Sequence, residues 1–175
     1  MTHFFAGCKD VIEIKKLYRE LALRWHPDRP GGDTATMQEI NRQYKEALKN
    51  QDRAEYRDEA GDPHTYYYNE SREDALIAKI AEVIKSGILD AGDVELWLVG
   101  TWLWVMGNTY PHREKLGKKG LGFSWNGAAN RKCWQWHTGG WKGSKSPYSF
   151  EELAARYGAT RVKPQGTQEE ELAVL

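Results

Sequence analysis

Two groups of residues have types and spacing that suggest chemistry: the consecutive His26, Pro27 and Asp28, and the pair Cys133 and His137. A cysteine with a histidine suits a nucleophile and its base, or two ligands of a zinc ion. The run "KCWQWH" reads as a strand, however, and four residues along a strand separate two side chains by about 13 Å. That is too far to share a proton or a metal, and a third group such as His112 would have to come from elsewhere in the chain. No Walker loop, dinucleotide fingerprint or nucleophile elbow is present. No catalytic residue, metal ligand or cofactor is therefore expected. His-Pro-Asp is a short sequence whose meaning depends on its surroundings.

Those surroundings are two helical patterns. Asp10 is placed to cap a helix that runs to Trp25, with Ile14, Leu17, Leu21 and Trp25 as its apolar stripe. Pro27 has no N–H and biases His26 away from helical angles, so the helix must end near Trp25. Pro30-Gly31-Gly32 continues the break, and Asp33 or Thr34 can cap a second helix lined by Met37, Ile40, Tyr44 and Leu48. Two apolar stripes joined by a short loop bury each other as an antiparallel hairpin. The His-Pro-Asp turn is then left at an exposed tip. A second stripe on the first helix, Lys15, Tyr18 and Arg19 with Arg24 nearer the loop, reads as a basic face.

This pattern, "IKKLYRELALRWHPDRPGGDTATMQEINRQYKEAL", resembles the J domain of DnaJ-type co-chaperones of bacterial or phage type, over residues 3 to about 50. The resemblance implies a partner, a DnaK-type chaperone, with Lys15, Tyr18, Arg19 and Arg24 docking on an acidic patch. It also implies that Asp28 contacts a cationic group near the partner's interdomain linker and favours ATP hydrolysis, while His26 and Pro27 fix the loop. Glu20 interrupts the basic surface, and "NQDRAEYRDEAGD" is a poor match to the family's last helix. The zinc-binding module and the glycine/phenylalanine-rich stretch of full-length DnaJ proteins are missing.

Composition points to a second unit. The net charge is zero, yet residues 1–100 carry −5, residues 101–165 carry +8 and the last ten carry −3. Seven of the eight tryptophans lie between Trp97 and Trp141. Such a shift marks a region with a different partner. Ser71 can cap a helix containing Leu76, Ile77, Ile80, Val83 and Ile84, with Gly87 as its stop. Residues 95–105 read as one strand, with Trp97, Val99, Leu103 and Val105 on one face and Leu98, Trp102 and Trp104 on the other. Thr109 can cap a short helix through Lys118. Phe123 and Trp125 begin a strand that turns at Asn126-Gly127 and pairs with "KCWQWH". Ser149 and Glu152 form a capping box for a helix from Phe150 to Tyr157. The stretch from Gly107 to His137 resembles a small tryptophan-rich domain of bacterial and phage proteins, a likeness that carries no activity with it.

The expected fold class is α+β: an all-α helical hairpin as J domain at 1–60, a linker at 61–71, and a basic α+β domain at 72–165. That domain would hold a short antiparallel sheet and two or three helices, followed by a disordered acidic tail at 166–175. The expected function is a co-chaperone that stimulates a DnaK-type ATPase and recruits a client protein or complex through an apolar patch such as Trp134 with Trp136. The alternative is nucleic-acid binding by Arg113, Lys115, Lys118, Lys119, Arg131, Lys132, Lys142 and Lys145, with Trp136 or Trp141 as a stacking platform. The same tryptophans would equally serve to close a small core. Two cysteines are too few for a disulfide framework, and no apolar run is long enough to span a bilayer, so a cytoplasmic, non-membrane protein is expected.

Overall fold

The computed structural model describes residues 3–58, 61–128, 131–139, 148–157 and 159–162. The acidic tail, Trp141, Lys142 and Lys145 lie outside the described residues. The fold is a mixture of helices and two antiparallel sheets.

α1 (Val11–Trp25) starts where Asp10 accepts the N–H of Glu13, and it stops at His26, whose ψ of 131° is the extended conformation a following proline imposes. Asp33 caps α2 (Thr34–Asn50) by accepting the N–H of Thr36. The helices run antiparallel: Phe5, ahead of α1, packs on Tyr44 late in α2, while Trp25 at the end of α1 accepts the N–H of Asp33. Met37, Ile40, Tyr44 and Leu48 are all buried. On α1 the buried face is rotated from the expected stripe. Val11, Ile14, Tyr18 and Ala22 are its centre, Leu17, Leu21 and Trp25 are half-buried, and Lys15 and Arg19 are inside.

In place of a last helix, β1 (Glu55–Arg57) and β2 (Pro63–Thr65) form a hairpin with Tyr56 opposite His64. Asp58 closes it, accepting the Asp62 N–H and lying 3.0 Å from His64 Nε2. Residues 61–71, read from the sequence as a linker, thus include β2 and the buried Tyr66. α3 (Glu70–Lys85) is capped by Asn69, not by Ser71, since Asn69 accepts the N–H of Arg72. Glu73 on α3 is fully buried and accepts from Tyr44 on α2 at 3.4 Å, Tyr66 at 2.9 Å and Arg72 at 3.3 Å.

Residues 95–105 are not one strand. β3 (Val94–Val99) and β4 (Trp102–Gly107) are an antiparallel hairpin, Val99 opposite Trp102, because Gly100 takes a φ of +60° and reverses the chain. The reversal resets the alternation. Val94, Leu96, Leu98, Leu103 and Val105 face the helices, and Trp97, Val99, Trp102 and Trp104 share the other face. The expected helix from Thr109 is shorter: a 3-10 turn (Tyr110–His112), then α4 (Arg113–Leu116), with no side-chain cap from Thr109. β5 (Ser124–Asn126) and β6 (Cys133–His137) pair as expected, but the connection runs over 127–132 rather than closing at Asn126-Gly127. Ser149 and Glu152 make the reciprocal bonds of a capping box at α5 (Phe150–Tyr157). β7 (Ala159–Val162) pairs with β3, giving the sheet order β5-β6-β4-β3-β7.

One cluster of buried side chains runs from Phe5 through α1, α2 and α3 to the near face of the sheet; a smaller one lies on the far face around Val99, Trp104 and Cys133. Glu73 joins the helical pair to α3 within the larger cluster. Replacing Glu73 with Ala leaves two buried phenols and a guanidinium without their acceptor, and should lower unfolding free energy in urea by about 3 kcal/mol. Glu73→Gln, which keeps an acceptor, should lose clearly less.

Candidate functional site

The His-Pro-Asp loop is built by backbone bonds. Arg29 N–H donates to His26 O at 3.0 Å, and Gly32 N–H to Arg29 O at 2.9 Å. A Cβ at Gly32 would stand 1.9 Å from His26 O, so only glycine fits there. His26 is buried, and Asp28 N–H donates to its Nδ1 at 3.3 Å. Burial holds the imidazole below its usual range despite the nearby Asp28 carboxylate, so the ring is neutral and Nδ1 is an acceptor. The 3.6 Å approach of Asp28 Oδ2 to the same nitrogen is then not an ion pair. Arg29 reaches Asp90, beyond the end of α3, at 3.2 Å. Pro27 is exposed, and the Asp28 side chain is 46% accessible. A carboxylate is therefore held outward on a loop whose backbone is pinned from beneath.

The expected docking stripe does not flank it. Lys15 and Arg19 are 8% and 3% exposed, and Tyr18 is buried, stacked on Tyr44 at 4.0 Å with its hydroxyl donating to Asn41. The covering groups are Tyr66, 5.2 Å below the Lys15 ammonium, and the turn between β3 and β4, whose Gly100 O lies 3.5 Å from Lys15 Nζ. Burial pushes the Lys15 ammonium down to about 8, partly offset by Glu73, and the Arg19 guanidinium down to about 10. Arg24 alone of the expected stripe is exposed, over the ring of Trp25 at 5.3 Å. Helical spacing places residues on a face but does not say which element will cover that face.

Lys15 and Arg19 instead line a cavity of about 540 Å³ between α1, the β1–β2 region, the β3–β4 turn and α5. Arg72, Tyr66, Trp102 and Trp104 line it too, residues that sequence reasoning missed as site residues. Tryptophan density was the signal, but it does not say which rings border a void.

The basic residues beyond α3 are divided. Arg113, Lys115, Lys118, Lys119 and Lys132 are exposed, with Lys115 bound to the carbonyl of Ser86. Arg131 is buried and donates to Tyr148 O at 2.8 Å. Trp134 and Trp136 share a face of β6, as expected, but that face packs on the core, and Lys79 lies over Trp136. Trp125, 49% exposed, meets Trp134 at 5.5 Å. Trp134 lies 4.0 Å from where a Cβ at Gly117 would be.

Cys133 and His137 do not meet as a nucleophile and base. Burial pushes the Cys133 thiol up to about 12. His137 accepts the Gly139 N–H at Nδ1, so Nε2 carries the proton and donates to Thr101 Oγ1 at 3.1 Å. Among the described residues no group of three or more His, Cys, Asp and Glu side chains is gathered as metal ligands would be. No helix of the described residues is long and apolar enough to cross a membrane.

The buried Lys15 ammonium makes a pH prediction. Folded, Lys15 loses its proton near pH 8; unfolded, it keeps it to about 10.4. Between these values the unfolded chain binds more protons, so stability rises with pH. Below pH 8 the full cost of burying the charge is present. Urea unfolding should show the parent gaining stability from pH 8 to 9.5, with Lys15→Met showing a flatter profile and, at pH 7, about 2 kcal/mol more stability.

Compared with protein-family models, curated proteins and solved structures, the chain has no match.

Proposed function

We propose that the chain is a co-chaperone of J-domain type that stimulates the ATPase of a DnaK-type chaperone through His26-Pro27-Asp28 and brings a client to it. The observation that carries this reading is the outward carboxylate of Asp28 on a loop fixed by His26, Gly32 and Asp33. A partner cation meeting such a group finds it already oriented, so little ordering entropy is lost on contact. Docking differs from the expectation of a broad basic face. Lys15, Tyr18 and Arg19 are withdrawn into the fold, and the accessible contact consists of Pro27, Asp28 and Arg24. Recruitment of the client falls to the surface beyond α3.

A second reading, that this surface binds DNA or RNA, is favoured by one observation: Trp125 is exposed in a region whose Arg113, Lys115, Lys118, Lys119 and Lys132 are exposed as well. Exposed cations and an accessible ring are what a single strand requires. Salt separates the two, because counterion release makes nucleic-acid affinity fall steeply with ionic strength and an apolar client site barely responds.

Asp28→Asn should abolish stimulation of a purified DnaK-type ATPase while leaving the urea midpoint unchanged. Arg24→Glu should raise the concentration needed for half-maximal stimulation by about tenfold, the effect of a charge reversal worth about 1.4 kcal/mol. Equal stimulation by Asp28→Asn and parent, or none by the parent, overturns the reading.

A further inference from the structure

The cavity beneath α1 has an unusual balance of groups. Four cations line it, Lys15, Arg19, Arg72 and Arg131, and no Asp or Glu stands among the described residues of its wall. Two of the four are satisfied: Arg72 pairs with Glu73, and Arg131 donates to Tyr148 O. Lys15 has a long bond to Gly100 O, at 3.5 Å. Arg19 Nε has no hydrogen-bond partner, and neither does Trp104 Nε1, though these residues are only 3% and 2% exposed. A buried donor left unpaired costs about 1–3 kcal/mol, and more when it belongs to a charged group. Both residues line the cavity, and the charge that Lys15 and Arg19 bring to its wall is the complement of an acceptor-rich anion.

The rest of the wall limits the anion's shape. Tyr66, Trp102, Trp104 and Tyr148 supply aromatic surface. The volume, about 540 Å³, is that of a small-molecule site, and a lone inorganic ion would leave most of it empty. A neutral aromatic would supply no counter-charge to Lys15 and Arg19, a metal cation would be repelled, and an acyl chain would meet charge on several sides. Planar ring and anion together describe a phosphorylated nucleoside.

We propose that this cavity binds a phosphorylated nucleoside, its phosphate paired with Arg19 and Lys15 and its base against the aromatic wall of Tyr66, Trp102 and Tyr148. The site is separate from the exposed Asp28 and does not depend on the co-chaperone reading. It gives Lys15 and Arg19 a role that an outward docking face does not. The base is not specified by the wall, so the four ribonucleoside 5′-monophosphates are the probes, with inorganic phosphate and the free nucleosides as partial ligands.

Calorimetry and tryptophan fluorescence on the full chain should show saturable one-to-one binding of at least one monophosphate, at least about tenfold tighter than phosphate or its nucleoside. Arg19→Met and Trp102→Ala should each weaken it by about tenfold or more. Without ligand, Arg19→Met should unfold at the same or a higher urea concentration, since it removes an uncompensated charge. A short 5′-phosphorylated single strand is the last arm. Tighter binding than the monomer identifies a strand end as the source of the same chemistry, and weaker binding identifies the free nucleotide. No saturable monophosphate binding, unchanged affinity in both variants, or a lower ligand-free midpoint for Arg19→Met each overturns the proposal.

Discussion

The carboxylate of Glu73 is the group on which the arrangement depends. It lies fully inside, and a charge there is tolerable only with several donors around it. Tyr44 comes from α2, Tyr66 from the segment after β2, and Arg72 from α3 itself. Satisfying Glu73 therefore fixes α3 against the helical pair and draws the Tyr66 segment over α1. Tyr44, held at its hydroxyl by Glu73, offers its ring to Tyr18 at 4.0 Å, so α1 is oriented by the same network. The rotation of α1 that turns Lys15 and Arg19 inward follows from it.

That rotation divides the basic character of the chain into two kinds. Arg24, Lys118 and Lys119 face solvent, where water screens them and a partner can reach them. Lys15 and Arg19 face a low-dielectric cavity, where their charge is costly and its compensation correspondingly strong. The loop carrying Asp28 is spared this enclosure. His26 and Arg29 anchor its underside, one by burial and one through Asp90, and leave the carboxylate free.

Local chemistry was legible wherever it completes itself within a few residues. Asp10, Asp33 and the Ser149–Glu152 box cap the helices that sequence assigns to them, because each cap needs only a side-chain oxygen and an N–H two or three residues on. Pro27 ends α1 at Trp25 for an equally local reason. The β5–β6 pairing was legible from its flanking aromatics. Residues 95–105 were misread as one strand because apolar residues continue through the turn, leaving Gly100 as the sole punctuation. The parity of every side chain after it changed accordingly. The β1–β2 hairpin was hidden for a different reason: three-residue strands have too little periodicity to detect, and theirs is stabilised by Asp58 and His64 across the turn.

The sequence by itself determined the helical pair, its caps and the break at Pro27, since these are matters of φ, hydrogen-bond reach and short-range sterics. It also determined that charge and tryptophan concentrate beyond residue 97. The tertiary structure decided which faces those residues occupy. Lys15 and Arg19 sit at the same helical spacing whether α1 is bare or covered, and Trp134 and Trp136 alternate the same way whichever side of the sheet receives the helices. Exposure depends on contacts between elements far apart in the chain, Tyr44 with Glu73 and Gly100 with Lys15 among them, and no local pattern encodes those contacts.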